Sequence, residues 1–465
     1  MILKLFLGTF IVGVILQFVA MLLGKGFVSQ ERKKGFYRAV SGQGVSSKLP
    51  MTGGIVVILT FALAMWACGR MFDTVGKWWI PVVAFALFGA VGFADDFLKF
   101  RGRGMSERWK TIACAVAAIA VAFLLHGEPA GSTPVWRLLI DALFLFSIAV
   151  AADFSDGIDG LSAGIGMIAA YAMICVSAVA GRIAGVPAFV SASGAIAAFW
   201  VFNLPSAWTS KSTDVKRHAR VYLGDSGSLA IGGGLAATAL WLHLGWVFVA
   251  VAAVWILEGF SSLWQAQVLT KWLYRPGGRV EIYGNEWAPH NEFPLPLLAA
   301  PVHHHFEMAG FRRDRIVLWF LIASAVCGIG GVVAAKFSIW MLIGWLIAAV
   351  PVIMLWSLAS LFRTMYLAID EHKMLVMKSG IPFRLEGIPY NRLVQTTGLS
   401  VTEMTDDELL WLKRPMTRLD AMEVLSRILS AHKREEASVV ASKMPEAARK
   451  LRLADIVMDK PDASA

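Results

Sequence analysis

The stretch Trp78-Trp79-Ile80-Pro81-Val82-Val83-Ala84-Phe85-Ala86-Leu87-Phe88-Gly89-Ala90-Val91-Gly92-Phe93-Ala94-Asp95-Asp96-Phe97-Leu98-Lys99-Phe100 decides the fold. Its first seventeen or so residues carry no charge, close to the ~20 apolar residues that cross the hydrocarbon core of a bilayer as a helix. Two adjacent carboxylates follow at once. Like charges side by side repel unless a cation is near, and carboxylates at a membrane edge are costly enough to mark functional sites. Two readings stand at this point. The pair ends a helix where it leaves the lipid, balanced by Lys99, Arg101 and Arg103, or it belongs to a site.

The rest of the chain repeats the apolar theme. Of 465 residues, 57% are hydrophobic and 16% charged, and the mean hydropathy is +0.62; a soluble domain carries about a quarter charged residues. Apolar runs lie at about 2–24, 51–69, 78–98, 111–127, 136–152, 160–180, 186–204, 226–244, 246–270, 315–335 and 338–362. The expectation is an all-α polytopic membrane protein of about eleven transmembrane helices. The first run lacks an A-x-A cleavage site and reads as a span, not a signal peptide. Asp141, near the start of the fifth, reads as snorkelling at an interface. The four cysteines are scattered singly in apolar segments, which suits small core residues and neither disulfides nor metal.

The net charge of +10 suggests nucleic acid in a soluble protein; here it reads as basic loops, with no nucleic-acid partner. Lysine and arginine collect in 25–50, 99–110, 205–220 and 271–314. The positive-inside rule then puts these loops in the cytoplasm and the N-terminus outside; eleven spans leave the C-terminus inside. Residues 363–465 are charged, and Leu409, Leu410, Leu412, Leu419, Met422, Leu425 and Leu429 suit two short amphipathic helices. The expected domains are a ten-helix core over 1–335, an additional helix over 336–362 and a small, mostly helical cytoplasmic extension over 363–465.

Four unusual stretches fall at the expected cytoplasmic ends, which argues for one site. Besides Asp95-Asp96 there is Asp153-Phe154-Ser155-Asp156-Gly157-Ile158-Asp159-Gly160. Its carboxylates can chelate a cation, accept from the hydroxyls or base of a nucleotide, or cap a turn. In Arg220-Val221-Tyr222-Leu223-Gly224-Asp225-Ser226-Gly227-Ser228, the N–H groups of a helix start can hold phosphate. There Asp225 is either a magnesium ligand or a helix cap, and Tyr222 can stack on a base. Ala300-Pro301-Val302-His303-His304-His305-Phe306-Glu307 reads as a loop suited to phosphate or metal, since three successive imidazoles on a regular helix cannot share one ion. Phe202-Asn203 ends the seventh helix, Glu258 and Gln265 share a side of the ninth, and Pro50-Met51-Thr52-Gly53-Gly54 opens the second.

In this order, Pro-x-x-Gly-Gly, Asp-Asp-x-x-Lys, D-G-x-D-G, Phe-Asn, Gly-Asp-x-Gly-Ser and the histidine run resemble the polyprenyl-phosphate N-acetylhexosamine-1-phosphate transferases over roughly residues 25–335. The histidine stretch, with Gly310 and Arg315, is similar to the phospho-N-acetylmuramoyl-pentapeptide-transferase branch. The resemblance implies a Mg2+-dependent peptidoglycan enzyme of the bacterial inner membrane, its site facing the cytoplasm. Undecaprenyl phosphate would attack UDP-N-acetylmuramoyl-pentapeptide, releasing UMP and forming lipid I. It implies catalytic roles for Asp95, Asp96 and Asp225, with Asp225 the metal ligand. It implies substrate contacts for Lys99, Lys110, Asp153, Asp156, Asp159, Asn203, Tyr222, Gln265, His303, His304 and His305, and dimers are frequent in that branch. The rival activities are a UDP-N-acetylglucosamine-using sibling enzyme and, from another class, an ion-coupled transporter. The chain departs from the family at Asp153, where asparagine is usual, at Leu49 to Gly54, where T-P-T-M-G-G is usual, in insertions near 209–218 and 276–298, and beyond 336.

Overall fold

The computed structural model describes residues 2–23, 53–71, 77–101, 104–126, 133–204, 219–265, 297, 300–308, 311, 313–337, 365–370, 372–385, 388–405, 408 and 418–432. Twelve helices make up the described part before residue 338. They are α1 (Ile2–Leu23), α2 (Gly53–Met71), α3 (Trp79–Phe100), α4 (Glu107–His126), α5 (Val135–Phe154), α6 (Leu161–Val179), α7 (Gly185–Asn203), α8 (Gly224–Trp241), α9 (Gly245–Val251), α10 (Ala253–Ser262), α11 (Val302–Met308) and α12 (Arg313–Lys336).

Among the described residues, eight helices are long and apolar enough to cross a membrane, and nine if the pair α9–α10 counts as one span. The expected run 338–362 lies outside the described residues. Helix α1 shows why composition found these elements: Leu3, Ile11, Ile15, Phe18 and Leu22 are more than half exposed, tolerable only where the surroundings are apolar. Helix α8 obeys the opposite logic. It holds Gly227, Gly232, Gly233 and Gly234, is buried from Ser226 to Ala239, and is not among the eight. Surrounded by protein on every side, it needs small residues more than greasy ones. Phe85 and Phe88 of α3 pack onto Gly234 and Gly233, making α3–α8 a close helix pairing; α5 approaches the other side at Gly232.

Two features depart from the sequence expectation. The run 246–270 is not one straight helix: α9 and α10 meet at Ala252 with a bend of 74°. Asp141 does not simply reach for water; its Oδ2 lies 2.6 Å from His126 Nε2. The antiparallel pair α4–α5 is thus tied at both ends, because Lys110 and Asp153 pair at the other.

The extension is not mostly helical where it is described, so all-α holds for the membrane core alone. Strands β1 (Met365–Ile369), β2 (Met374–Leu385) and β3 (Ile388–Ser400) form an antiparallel sheet in the order β1-β2-β3, with Leu367 opposite Met377 and Ile369 opposite Leu375. One face, with Met365, Leu367, Leu375, Met377 and Leu399, packs on Ala421, Met422, Leu425, Ile428 and Leu429 of α13 (Arg418–Ala431). Tyr366, Ala368 and Val376 are buried as well. Burial on both faces erases the alternation that marks a strand, which is why Met365 to Ile369 reads as no particular element. Of the two helices expected over 406–430, α13 is one; 409–417 lie outside the described residues.

Candidate active site

The site begins where α3 meets the first turn of α8. The leading N–H groups of a helix have no partner within it. In α8 the residue at the N-cap is Leu223, which makes no side-chain cap, and Asp96 supplies one from another helix. Its Oδ1 accepts the Asp225 N–H at 3.1 Å and its Oδ2 the Ser226 N–H at 2.9 Å. Each such bond to a charged acceptor contributes about 1.5–3 kcal/mol, and the negative charge also suits the helix dipole. Two glycines permit the approach. Gly224 sits at φ +69°, where a Cβ would come within 2.6 Å of Asp96 Oδ2, and a Cβ on Gly92 would strike the backbone of Asp225. Gly54, the last residue of the Pro-x-x-Gly-Gly motif, donates its N–H to the Leu223 carbonyl at 3.1 Å.

Asp225 is therefore not the cap; its carboxylate enters a knot of charges. Lys99 Nζ lies 2.7 Å from Asp225 Oδ2 and 2.9 Å from Asp95 Oδ2. Lys110 Nζ lies 2.6 Å from Asp153 Oδ2, contacts Asp225 Oδ2 directly and stands 3.7 Å from Asp95 Oδ2. The second oxygens are held too: Met105 N–H donates to Asp95 Oδ1 at 2.8 Å, and the Ser228 hydroxyl to Asp153 Oδ1 at 2.8 Å. Three carboxylates and two ammoniums from α3, α4, α5 and α8 thus meet with one negative charge in excess. Asp153, the departure from the family pattern, brings its countercharge with it in Lys110. Among the described residues, no three His, Cys, Asp or Glu side chains are spaced to enclose a metal ion.

Next to the knot, the chain between α5 and α6 is braced from two sides. Asn203 accepts the Gly160 N–H at 2.6 Å and donates to the Val221 carbonyl at 3.0 Å. Asp159 Oδ2 accepts the Ala219 N–H at 3.3 Å, and Trp200 Nε1 donates to the Gly160 carbonyl at 2.9 Å. Asn203 is a clasp between the acidic loop and the segment carrying half-buried Tyr222. Asp156 is half-buried on the same loop.

The histidine run is helical, not a loop: it forms the first turn of α11, with the His303 and His304 rings 4.1 Å apart, centroid to centroid, and His305 turned against Phe306. His303, fully buried, is held by Glu258, whose Oε1 accepts the His303 N–H at 3.1 Å while Oε2 meets Nδ1. His304 Nδ1 lies 3.2 Å from Glu307 Oε2, and Glu307 Oε1 accepts from Arg313 at 2.7 Å. Burial, with His303 alongside, pushes His304 down to about 4. Burial opposes the shift at Glu307, but the His304 bond and the Arg313 charge still hold it at about 2. His305 is buried edge-on against Phe306. Gln265 exchanges two 2.9 Å bonds with the backbone of Leu297. The acidic loop rests on this turn, since a Cβ on Gly157 would collide with His303 Nε2 and come within 3.1 Å of His304 Nε2.

A family model described as glycosyl transferase family 4 matches residues 78–243, the span from α3 to the end of α8 that builds the knot. Curated relatives carry the match further. The phospho-N-acetylmuramoyl-pentapeptide-transferase of Lactobacillus delbrueckii subsp. bulgaricus is 30% identical over 299 residues, 60% of this chain and 82% of the relative. That of Caldanaerobacter subterraneus is 26% identical over 328 residues, 66% of this chain and 92% of the relative. The chain belongs to the phospho-N-acetylmuramoyl-pentapeptide-transferase family.

Within this transferase family site, the structure adds residues that sequence reasoning passed over. Ser228 and Met105 hold carboxylates of the knot; Glu307, anchored by Arg313, contacts the His304 ring. Ser228 stood inside a quoted motif, and Glu307 closes the histidine stretch. The Met105 contact is made by backbone and leaves no mark in side-chain chemistry.

Proposed function

We propose that the chain transfers phospho-N-acetylmuramoyl-pentapeptide from its UDP carrier to undecaprenyl phosphate at the cytoplasmic face of a bacterial inner membrane. The observation that carries this reading is the knot of Asp95, Asp153 and Asp225 around Lys99 and Lys110, at the end of a bundle of apolar helices. A lipid phosphate and a soluble nucleotide can meet only at such an edge. An oxygen of the lipid phosphate attacks the sugar-linked phosphorus, the bond to the UMP oxygen breaks, and UMP leaves. Such a transfer needs in-line positioning and neutralised charge more than covalent help.

Lys99 and Lys110 bind and orient the phosphates by turning from Asp225 toward them. Asp95 and Asp225 keep the lysines charged and aligned. Asp96, both oxygens engaged by α8, acts through the placement of Asp225. His304, neutral at physiological pH, offers a hydrogen bond without a charge to the sugar or its phosphate. Magnesium fits the donor chemistry: carboxylate oxygens converge on a point now held by ammonium, and Mg2+ commonly uses one or two carboxylates plus substrate phosphates. Asp225, with Asp95 or Asp153, would hold it, and when bound it supplies neutralisation of the diphosphate oxygens.

The test is competition. Purified protein with undecaprenyl phosphate and Mg2+ receives UDP-N-acetylmuramoyl-pentapeptide and UDP-N-acetylglucosamine together. UMP release tracking the muramoyl substrate supports the reading; release only from UDP-N-acetylglucosamine, or from neither, overturns it.

A further inference from the structure

Helix α1 is the least buried of the eight spans, with 17% of its apolar window enclosed, and its buried residues form a single line. They are Thr9, Gly13 and Gln17, each one turn after the last. Where the solvent is itself apolar, burial cannot drive a helix onto its neighbours, so close packing and polar contacts must seat it. The close packing is plain. A Cβ on Gly13 would come within 2.6 Å of Ala198 in α7 and 3.2 Å of Thr60 in α2, and Thr9 meets Gly194 of α7.

The polar contact is the open question. Gln17 is wholly inaccessible and Thr60 is 1% exposed. The Gln17 amide oxygen, its amide nitrogen and the Thr60 hydroxyl all lack a hydrogen-bond partner among the described residues. A helical threonine can bond the carbonyl four residues back, as Thr9 does to Leu5 and Thr238 to Gly234; Thr60 does not. Helical side chains lean over the preceding turn, so the Gln17 amide extends back toward Gly13, the residue that faces Thr60. Buried polar atoms without partners are uncommon, and within a bilayer they mark a site.

We propose that Gln17 and Thr60 bind a water molecule between them, which fastens α1 to α2. Water both donates and accepts, so one molecule serves an amide and a hydroxyl together, and two to four polar partners are what a buried water requires. The enclosure of both side chains limits the occupant to that size. The seam lies behind the candidate site: α2 delivers the Gly54 N–H to Leu223, and α7 ends at the Asn203 clasp.

The full chain in nanodiscs of deuterated lipid, labelled with 15N-glutamine, tests this by magnetisation transfer from water to side-chain amides. The Gln17 signal is assigned by its loss in Gln17→Leu or, should that variant not accumulate, in the double variant with Thr60→Val. The expected spectrum has a water cross-peak at the Gln17 amide that survives in Thr60→Ser, which keeps the hydroxyl, and is at least halved in Thr60→Val. No water cross-peak, one unchanged by Thr60→Val, or equal loss in Thr60→Ser each overturns the proposal. Thermal melting gives an independent reading. Gln17→Leu and Thr60→Val each strand the other polar group and should lower the midpoint, whereas the double variant removes both and should melt above either single one. Additive losses in the double variant would sink the shared site.

Discussion

The two halves of the site handle charge in opposite ways. On the α3–α8 side, three carboxylates and two lysines balance one another ion against ion, with the second oxygens of Asp95 and Asp153 also bound. On the α11 side, imidazoles are held by carboxylates, and His304 stays neutral. The first arrangement keeps full charges mobile between partners, which suits binding phosphate and a cation. The second keeps hydrogen-bonding atoms fixed and uncharged, which suits recognition. A bilayer edge makes both necessary, since an unpaired ion there is costly.

Four experiments would break or sharpen that contrast. Asp225→Asn removes the carboxylate on which both lysines converge. UMP release should fall on the order of a thousandfold, as for loss of a preorganised electrostatic group, with unchanged yield of folded protein; turnover near the wild-type rate would end the assignment of Asp225.

Lys110→Met leaves Asp153 and Asp225 short of a countercharge; the pairs are part-buried, so the cost falls below the ~3–5 kcal/mol of a fully buried pair. Thermal stability should drop accordingly, and adding Asp153→Asn should restore part of it. A double variant no more stable than the single one would mean that Asp153 does not depend on Lys110.

The histidine half should show itself in pH. His304 has its folded pKa lowered to about 4, against about 6.5 when unfolded. The unfolded chain therefore binds more protons between those values. The stability this group contributes is full above about 6.5 and falls by about 3 kcal/mol as pH drops to 4. Glu307, lowered to about 2, extends the loss below pH 4.5. Melting curves from pH 7 to 4 should lose this slope in His304→Gln; an unaltered slope would place its origin elsewhere.

The smallest effect is expected from Asp96→Asn. Its amide keeps one acceptor where the carboxylate had two, so about 2 kcal/mol of helix anchoring is lost and activity falls roughly thirtyfold. Hydrogen exchange at the Asp225 and Ser226 amides should quicken in step. Slow exchange together with an inactive enzyme would return Asp96 to the chemistry itself.

Much of this was legible in the chain. Ten of the apolar runs coincide with described helices or the bent pair; eight are long and apolar enough to cross a membrane, while α8 is enclosed by protein and the run after it is broken at Ala252. The motifs fall at the ends that converge, since an acidic cluster between apolar runs has nowhere else to go. Three things were hidden. The bend at Ala252 follows no proline or glycine at that position, so local composition gives no warning. The strands Met365–Ile369 and Met374–Leu385 lack clean alternation. Asp95 and Asp96 look equivalent in sequence, yet successive helical positions point about 100° apart, sending one into the knot and the other to the start of α8.

Gly92 carries no chemistry, yet the site depends on it. Its missing side chain lets α3 lie against the Asp225 backbone, so the reactive geometry is written partly in an absence. In a population of random alleles selected for loss of growth, inactive variants should therefore accumulate at this silent position as well as at the aspartates. They would make a well-inserted protein whose charges are all present and all slightly out of place.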